Sequence, residues 1–229
     1  MLSNYFNPDR HYHNMSHVAD LLMLLPEMVA EYRDQIKHMD ELVQAVIWHD
    51  ETYVPGAQHN EAISARQAVR ANPHLNGEVI RNIVMATRHT GEPLATIEEQ
   101  IMVDIDLHGL ALDFETFTAN TDAIRLEYGA VSDEDWKAGR GAFYRAMLAR
   151  PRIYYTDLYH SRLEKRARVN LQMGLEVLDR PKFLIYECPR CYGQMIGPPS
   201  SWTTCQLCGQ DLTKMAATTT DESLLLKDM

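Results

Sequence analysis

Apolar residues recur at helical spacing along most of this chain, and almost nothing before residue 182 alternates as a strand does. This periodicity limits the fold more than any other feature. A chain patterned this way must bury helix stripes against one another. It predicts helices over residues 16–33, 39–49, 60–71, 77–87, 98–110, 113–128 and 132–149. Pro151 then breaks the pattern, and a long helical region runs from Ile153 to Leu178. Ser16 or Asn14 is placed to cap the first helix, and Pro55-Gly56 and Asn72-Pro73 mark loops. With 229 residues, the chain can bury one sizeable helical core and carry a small satellite. The expected fold is all-α, with the helical domain over residues 1–181.

The composition changes after that point. Residues 182–213 lose helical periodicity and hold all four cysteines, as Cys188-Pro-Arg-Cys191 and Cys205-Gln-Leu-Cys208 with 13 residues between the pairs. Gly193 and Gly209 follow the pairs closely, where knuckle turns need backbone N–H groups aimed at thiolates. The arrangement resembles a zinc ribbon or a rubredoxin-like knuckle pair. Four thiolates make a closed tetrahedral site, so the expected metal is a structural zinc that holds a module too small for a large core. Two disulfides or an iron centre are the alternatives. Few basic residues flank the knuckles (Lys182, Arg190, Lys214), so the module is expected to touch a protein partner or a second copy of the chain. Tyr192 and Trp202 are the candidate contacts, or else they cover the module's small core. Residues 214–229 read as a polar tail.

The ten histidines all fall between residues 11 and 160, apart from the cysteines, so the chain reads as carrying two separate sites. His13 and His17 are four apart and share a helix face. His49-Asp50 ends an apolar helix, and Asp104 and Asp106 sit inside the apolar run IMVDIDLHGL. Singly, each is more often a cap, a surface residue or a satisfied core group. Together they carry more weight, because polar side chains inside apolar runs must be paired or metal-bound. Two histidines with two aspartates suit Mn, Fe, Co, Ni, Mg or Zn and leave coordination positions open.

The ordered set RHYHNMSHV, AVIWHDETY, NEAISA, MATRH, DIDLHGL and EKRARVNLQMGLEVL resembles the HD superfamily of metal-dependent phosphohydrolases, over roughly residues 5–180. The resemblance implies an HD-domain helical bundle in which His17, His49 and Asp50 are metal ligands. Asp106 or Asp104 would be the last ligand, with Asp106 favoured. His13 matches the histidine of the YHNxxH arrangement in cyclic-nucleotide phosphodiesterases of the superfamily, where it donates a proton to the leaving oxygen. Nucleotidases of the superfamily often place a glutamate three residues after the HD aspartate, where this chain has Tyr53. Glu61 is therefore the candidate base. Arg10 is a candidate phosphate grip, and Arg88 and His89 a second anion contact. His89 or Asp104 could instead serve a second metal.

The implied activity is hydrolysis of a phosphoester or phosphoanhydride in a small molecule, a nucleotide by inference from the superfamily. Two other readings stand beside it. A di-iron oxygenase of the same fold would need two extra histidines, for which His74 and His89 lie in the right interval. A non-catalytic scaffold would use the cysteine module for recruitment. A formal net charge of -10 disfavours generic nucleic-acid binding without excluding a small anion in a locally positive pocket. No run approaches the roughly 20 apolar residues of a membrane span. The N-terminal MLSNYFNPDRHYHN has no apolar core of a signal peptide, so a cytoplasmic location is expected.

Overall fold

The computed structural model describes residues 2–179, 184–187, 190, 194–197, 204 and 208. The chain divides into two units, Met1–Leu178 and Asp179–Met229. The first is all-α, and its helices are α1 (Met15–Tyr32), α2 (Met39–Trp48), α3 (Asn60–Ala71), α4 (Gly77–Ala86), α5 (Ile97–Asp106), α6 (Phe114–Glu127), α7 (Asp133–Ala149) and α8 (Asp157–Asp179). In the second, β1 (Leu184–Glu187) pairs antiparallel with β2 (Gln194–Gly197), Leu184 opposite Gly197. Cys188, Cys191 and Cys205 lie outside the described residues, as does the zinc site expected there; Cys208 is half-buried.

Local chemistry sets the helix starts. Asn14 accepts from the N–H groups of Ser16 and His17, Asn76 from Glu78 and Val79, and Thr96 from Glu99. Such side chains replace partners that the first turn cannot supply itself. The start of α2 is held from afar: the N–H groups of Lys37 and His38 both donate to the buried Glu98 carboxylate of α5, at 2.7 and 3.0 Å. Burial opposes ionisation of Glu98, but these two N–H groups and its own backbone N–H keep it below its ordinary pKa.

At the centre lies α5, with Ile101, Met102, Val103, Asp104 and Ile105 all buried. It packs against α1, α2 and α4, while α3 closes on α2 and α4. Four apolar residues in five, Ile101 to Ile105, go round the whole helix and so need neighbours on every side. The α-helix ends at Asp106 and tightens into a 3-10 turn, Leu107–Ala111, shorter than the helix over residues 98–110 that periodicity predicts. Asn170 of α8 ties this turn down by donating to the carbonyls of Leu110 and Leu112, at 2.9 and 2.8 Å. At Gly174 of α8, an added Cβ would sit 2.8 Å from Tyr144 Cε2 and 3.2 Å from Phe117 Cε1, so only glycine permits this approach to α6 and α7.

The last helix also starts later than its apolar pattern suggests. Residues 153–156 stay outside the helix because two buried carboxylates take their backbone N–H groups. Glu164 of α8 accepts from Ile153 and Tyr154. Asp104 of α5 accepts from Tyr155 at 2.7 Å, from Thr156 N–H at 2.8 Å and from the Thr156 hydroxyl at 2.6 Å. Asp104 is thus a structural clasp. This corrects its reading as a metal ligand: both its oxygens are engaged at the start of α8. Burial pushes its carboxyl up to about 6 in spite of those donors. Arg168 pairs with Glu164 at 2.6 Å and donates to the carbonyls of Leu148 and Arg150.

Replacing Asp104 by alanine strands three donors in the core. Asp104→Ala should lower the unfolding free energy by about 2–4 kcal/mol in urea titration.

Candidate metal centre

The polar groups at one end of the core converge from four parts of the chain. The first turn of α1 supplies His17, and the residues following α2 supply His49 and Asp50. His89 lies just past α4, and Asp106 is the last residue of α5. His17 Nε2 is 3.2 Å from Asp106 Oδ1, and His49 Nε2 is 3.5 Å from the same oxygen. Asp50 Oδ2 sits 3.0 Å from His49 Nε2 and 4.0 Å from His17 Nε2. His89 Nε2 approaches the other oxygen of Asp106, Oδ2, at 2.9 Å.

His17, His49 and Asp106 each offer one ligand atom, and these atoms lie within 4.8 Å of one another. Atoms bound about 2.1 Å from one ion fall in that range. Whether a cation fits is decided by His49. Its ring is fully enclosed, and its Nδ1 donates to the Val46 carbonyl at 3.0 Å. That bond leaves Nε2 without a proton in the neutral ring, facing two carboxylates, and Nε2 makes no hydrogen bond. A lone pair buried against two anions is repulsive unless a proton or a metal ion lies between them. The three residues could therefore hold a metal ion, and the donor set does not by itself choose which.

The electrostatics agree. Burial opposes a charge on His49, but the Asp50 and Asp106 carboxylates outweigh it and raise the imidazole well above its ordinary value. Burial likewise opposes ionisation of Asp106, and the imidazoles of His17, His49 and His89 hold it well below the carboxylate range. Against the same opposing burial, His49 keeps Asp50 at about 2.

A cleft of about 400 Å³ opens onto these groups. His13, Asp50, Tyr53, Glu61, Arg88 and His89 line it, with Arg140 of α7 on the far side. His13 Nδ1 lies 2.6 Å from Glu127 Oε2, and its ring stacks on Tyr53 at 3.9 Å. Tyr53 thus occupies the position where the nucleotidase pattern has a glutamate, and serves as a platform. Glu61 also lines the cleft. Arg140 went unnoticed in the sequence. It donates from Nε to the Tyr144 hydroxyl at 3.1 Å, and only the packing of α6 on α7 brings it here.

Arg10 departs from expectation. Its guanidinium donates to the carbonyls of His13, Asp50 and Glu51, at 3.2, 2.7 and 2.8 Å. It braces the first histidine segment against the His49-Asp50 turn, and three of its five N–H donors go to those carbonyls. His89 adopts a left-handed backbone, φ 52°, and Arg150 donates to its carbonyl. A non-glycine residue held there is strained, and such strain collects at functional sites. His74 is exposed between α3 and α4, away from the cluster.

Among the described residues, no helix is long and apolar enough to cross a membrane. Compared with protein families, with curated proteins and with solved structures, the chain shows no match.

A cation that binds the folded site alone raises stability by mass action. Adding a divalent ion at a hundredfold excess over its Kd should stabilise the metal-free protein by about 2.7 kcal/mol, visible as a higher Tm. His49→Ala should abolish the shift. Affinity should fall as pH falls, because protons compete for His49, whose folded-state pKa is raised. A Tm that ignores every divalent ion would remove the metal reading.

Proposed function

We propose that the helical unit is a metal-dependent phosphohydrolase of HD type, acting on a small phosphorylated molecule, with a nucleotide as the class to test first. The observation that carries this is the buried His49 Nε2, which makes no hydrogen bond and faces the Asp50 and Asp106 carboxylates, both of which line a cleft that also presents arginines. His17, His49 and Asp106 would hold the ion, with Asp50 beside them. Such an ion supplies Lewis acidity, making water more acidic near neutral pH and offsetting charge on a phosphoryl group.

The chain's own residues supply the rest. Arg88 and Arg140 line the cleft and provide positive charge for phosphoryl oxygens. Glu61 lies on the same wall and is the candidate acceptor of the water's proton. His13 faces the cleft and is the candidate donor to the leaving oxygen. His89 holds the second oxygen of Asp106 and so fixes the direction in which Oδ1 points. The di-iron alternative loses support, since His74 stands apart from the cluster. The cysteine pairs are read as a structural zinc site on their spacing alone, and the tail module as a place for a protein contact.

The test is phosphate release from a panel of nucleotides and p-nitrophenyl esters with added Mn, Co, Ni, Mg or Zn, alongside metal analysis of the protein as purified. Metal-stimulated release should fall at least about 100-fold in His49→Ala and in Asp106→Asn, the size expected when a positioned catalytic group is lost. One metal retained in both variants and lost when the cysteines are replaced would mark the second site. No release with any ion, from a protein that binds one, would sink the hydrolase and favour a scaffold.

A further inference from the structure

Helix α7 opens a second cavity beside the metal cleft. Trp136, Gly139, Arg140 and Phe143 recur at helical spacing on α7 and so share one face. With Tyr128 and Val131 they line a cavity of about 290 Å³. Ile124, Tyr128, Arg140 and Phe143 line the metal cleft as well, so the two cavities share a wall. Gly139 lies inside α7, where glycine is a poor helix former. A Cβ there would meet no atom within 4 Å, whereas at Gly174 a Cβ would strike Tyr144. Packing therefore does not ask for glycine at residue 139. What the missing side chain provides is room in the cavity.

The lining restricts what can enter. The walls are mainly aromatic, with the Tyr128 and Trp136 rings 5.2 Å apart, and suit a flat ring. An alkylammonium group also favours aromatic walls. Trp136, however, already carries the guanidinium groups of Arg125 and Arg140, at 5.7 and 5.9 Å, and they would repel a further cation. The charges are divided between the two ends. Arg140, on the shared wall, donates to the Tyr144 hydroxyl and lies over the Phe143 ring. Asp135 lines the second cavity and is absent from the lining of the cleft. Its Oδ2 accepts from the Ser132 hydroxyl at 2.9 Å, and a carboxylate can accept from several donors at once. A ligand spanning both cavities must place its anion toward the cleft, a flat neutral ring among the aromatics, and N–H donors toward Asp135.

We propose that the α7 cavity is the base subsite of the metal cleft and that it takes guanine. The proposal rests on the phosphohydrolase reading and deepens it. Guanine offers two adjacent N–H groups on one edge, a match for the two oxygens of a carboxylate. Adenine and cytosine set an acceptor beside the amino group, and uracil flanks one N–H with two carbonyls. Each of these would turn a lone pair toward Asp135.

Guanosine, which has the base and no phosphate, tests the cavity without turnover. Calorimetric titration of the chain should show guanosine binding about 10-fold more tightly than uridine. Gly139→Leu fills the cavity and should weaken guanosine at least about 10-fold. Asp135→Asn should bring guanosine and uridine to within about threefold of each other. Gly139→Ala, the control for folding, should raise the Tm by about 2–4 °C, since a better helix former replaces a glycine that packing does not need. In turnover, the ratio of kcat/KM for guanosine monophosphate to that for ribose phosphate should fall about 10-fold in Gly139→Leu. Guanosine that binds no better than uridine, or equally well to Gly139→Leu, would overturn the proposal, as would a lower Tm in Gly139→Ala. Guanosine binding that depends on Gly139 and Asp135, in a protein that hydrolyses no ester, would sink the phosphohydrolase reading and uphold the guanine pocket.

Discussion

Asp106 is the charge around which the helical unit is arranged. A carboxylate at the end of the most buried helix cannot be left in an apolar core, so the surrounding segments must bring partners to it. Three imidazoles do so: His17 from the start of α1, His49 from the end of α2 and His89 from beyond α4. The packing of α1, α2 and α4 around α5 is therefore also the assembly of the site. Breaking this network would expose the core and dismantle the ligand set together. Stability and the candidate metal site depend here on the same few ångströms.

Much of the fold was legible in the sequence because helix periodicity is a local signal. The starts of α2, α3 and α4 fall where apolar spacing and turn residues place them. The signal fails where a distant group claims the backbone. Residues 153–156 carry helical spacing, yet their N–H groups are taken by Glu164 and Asp104. The choice between Asp104 and Asp106 was open for a related reason. Residues two apart on a helix point to nearly opposite sides. Since Ile101, Met102, Val103 and Ile105 spread around α5 and are all buried, no single apolar face says which side meets the histidines. Only the neighbours decide: α8 takes Asp104, and the imidazoles take Asp106.

The site residues divide in the same way. His17, His49, Asp50 and Asp106 stand out because polar groups interrupt apolar runs. Glu127 and Arg140 do not, since each sits on a helix that looks like an ordinary solvated surface. Their importance is a matter of tertiary distance, as with Glu127 and the residue it holds 114 positions away. Arg10 misleads in the opposite direction. An arginine next to the first histidines suggests anion binding, but three backbone carbonyls use its donors. Such a role has no sequence signature, because a carbonyl oxygen is the same in every residue.

The left-handed backbone of His89 has a consequence for how this chain can change over time. Glycine would fit that conformation without strain, so random drift toward a more stable protein has a downhill path open at this position. Taking it would remove the imidazole from Asp106. A lineage that still needs the site must keep rejecting the easier residue, whereas one that has lost the need has no reason to. The identity of residue 89 across descendants of this chain would therefore record which of them still needed an imidazole on Asp106.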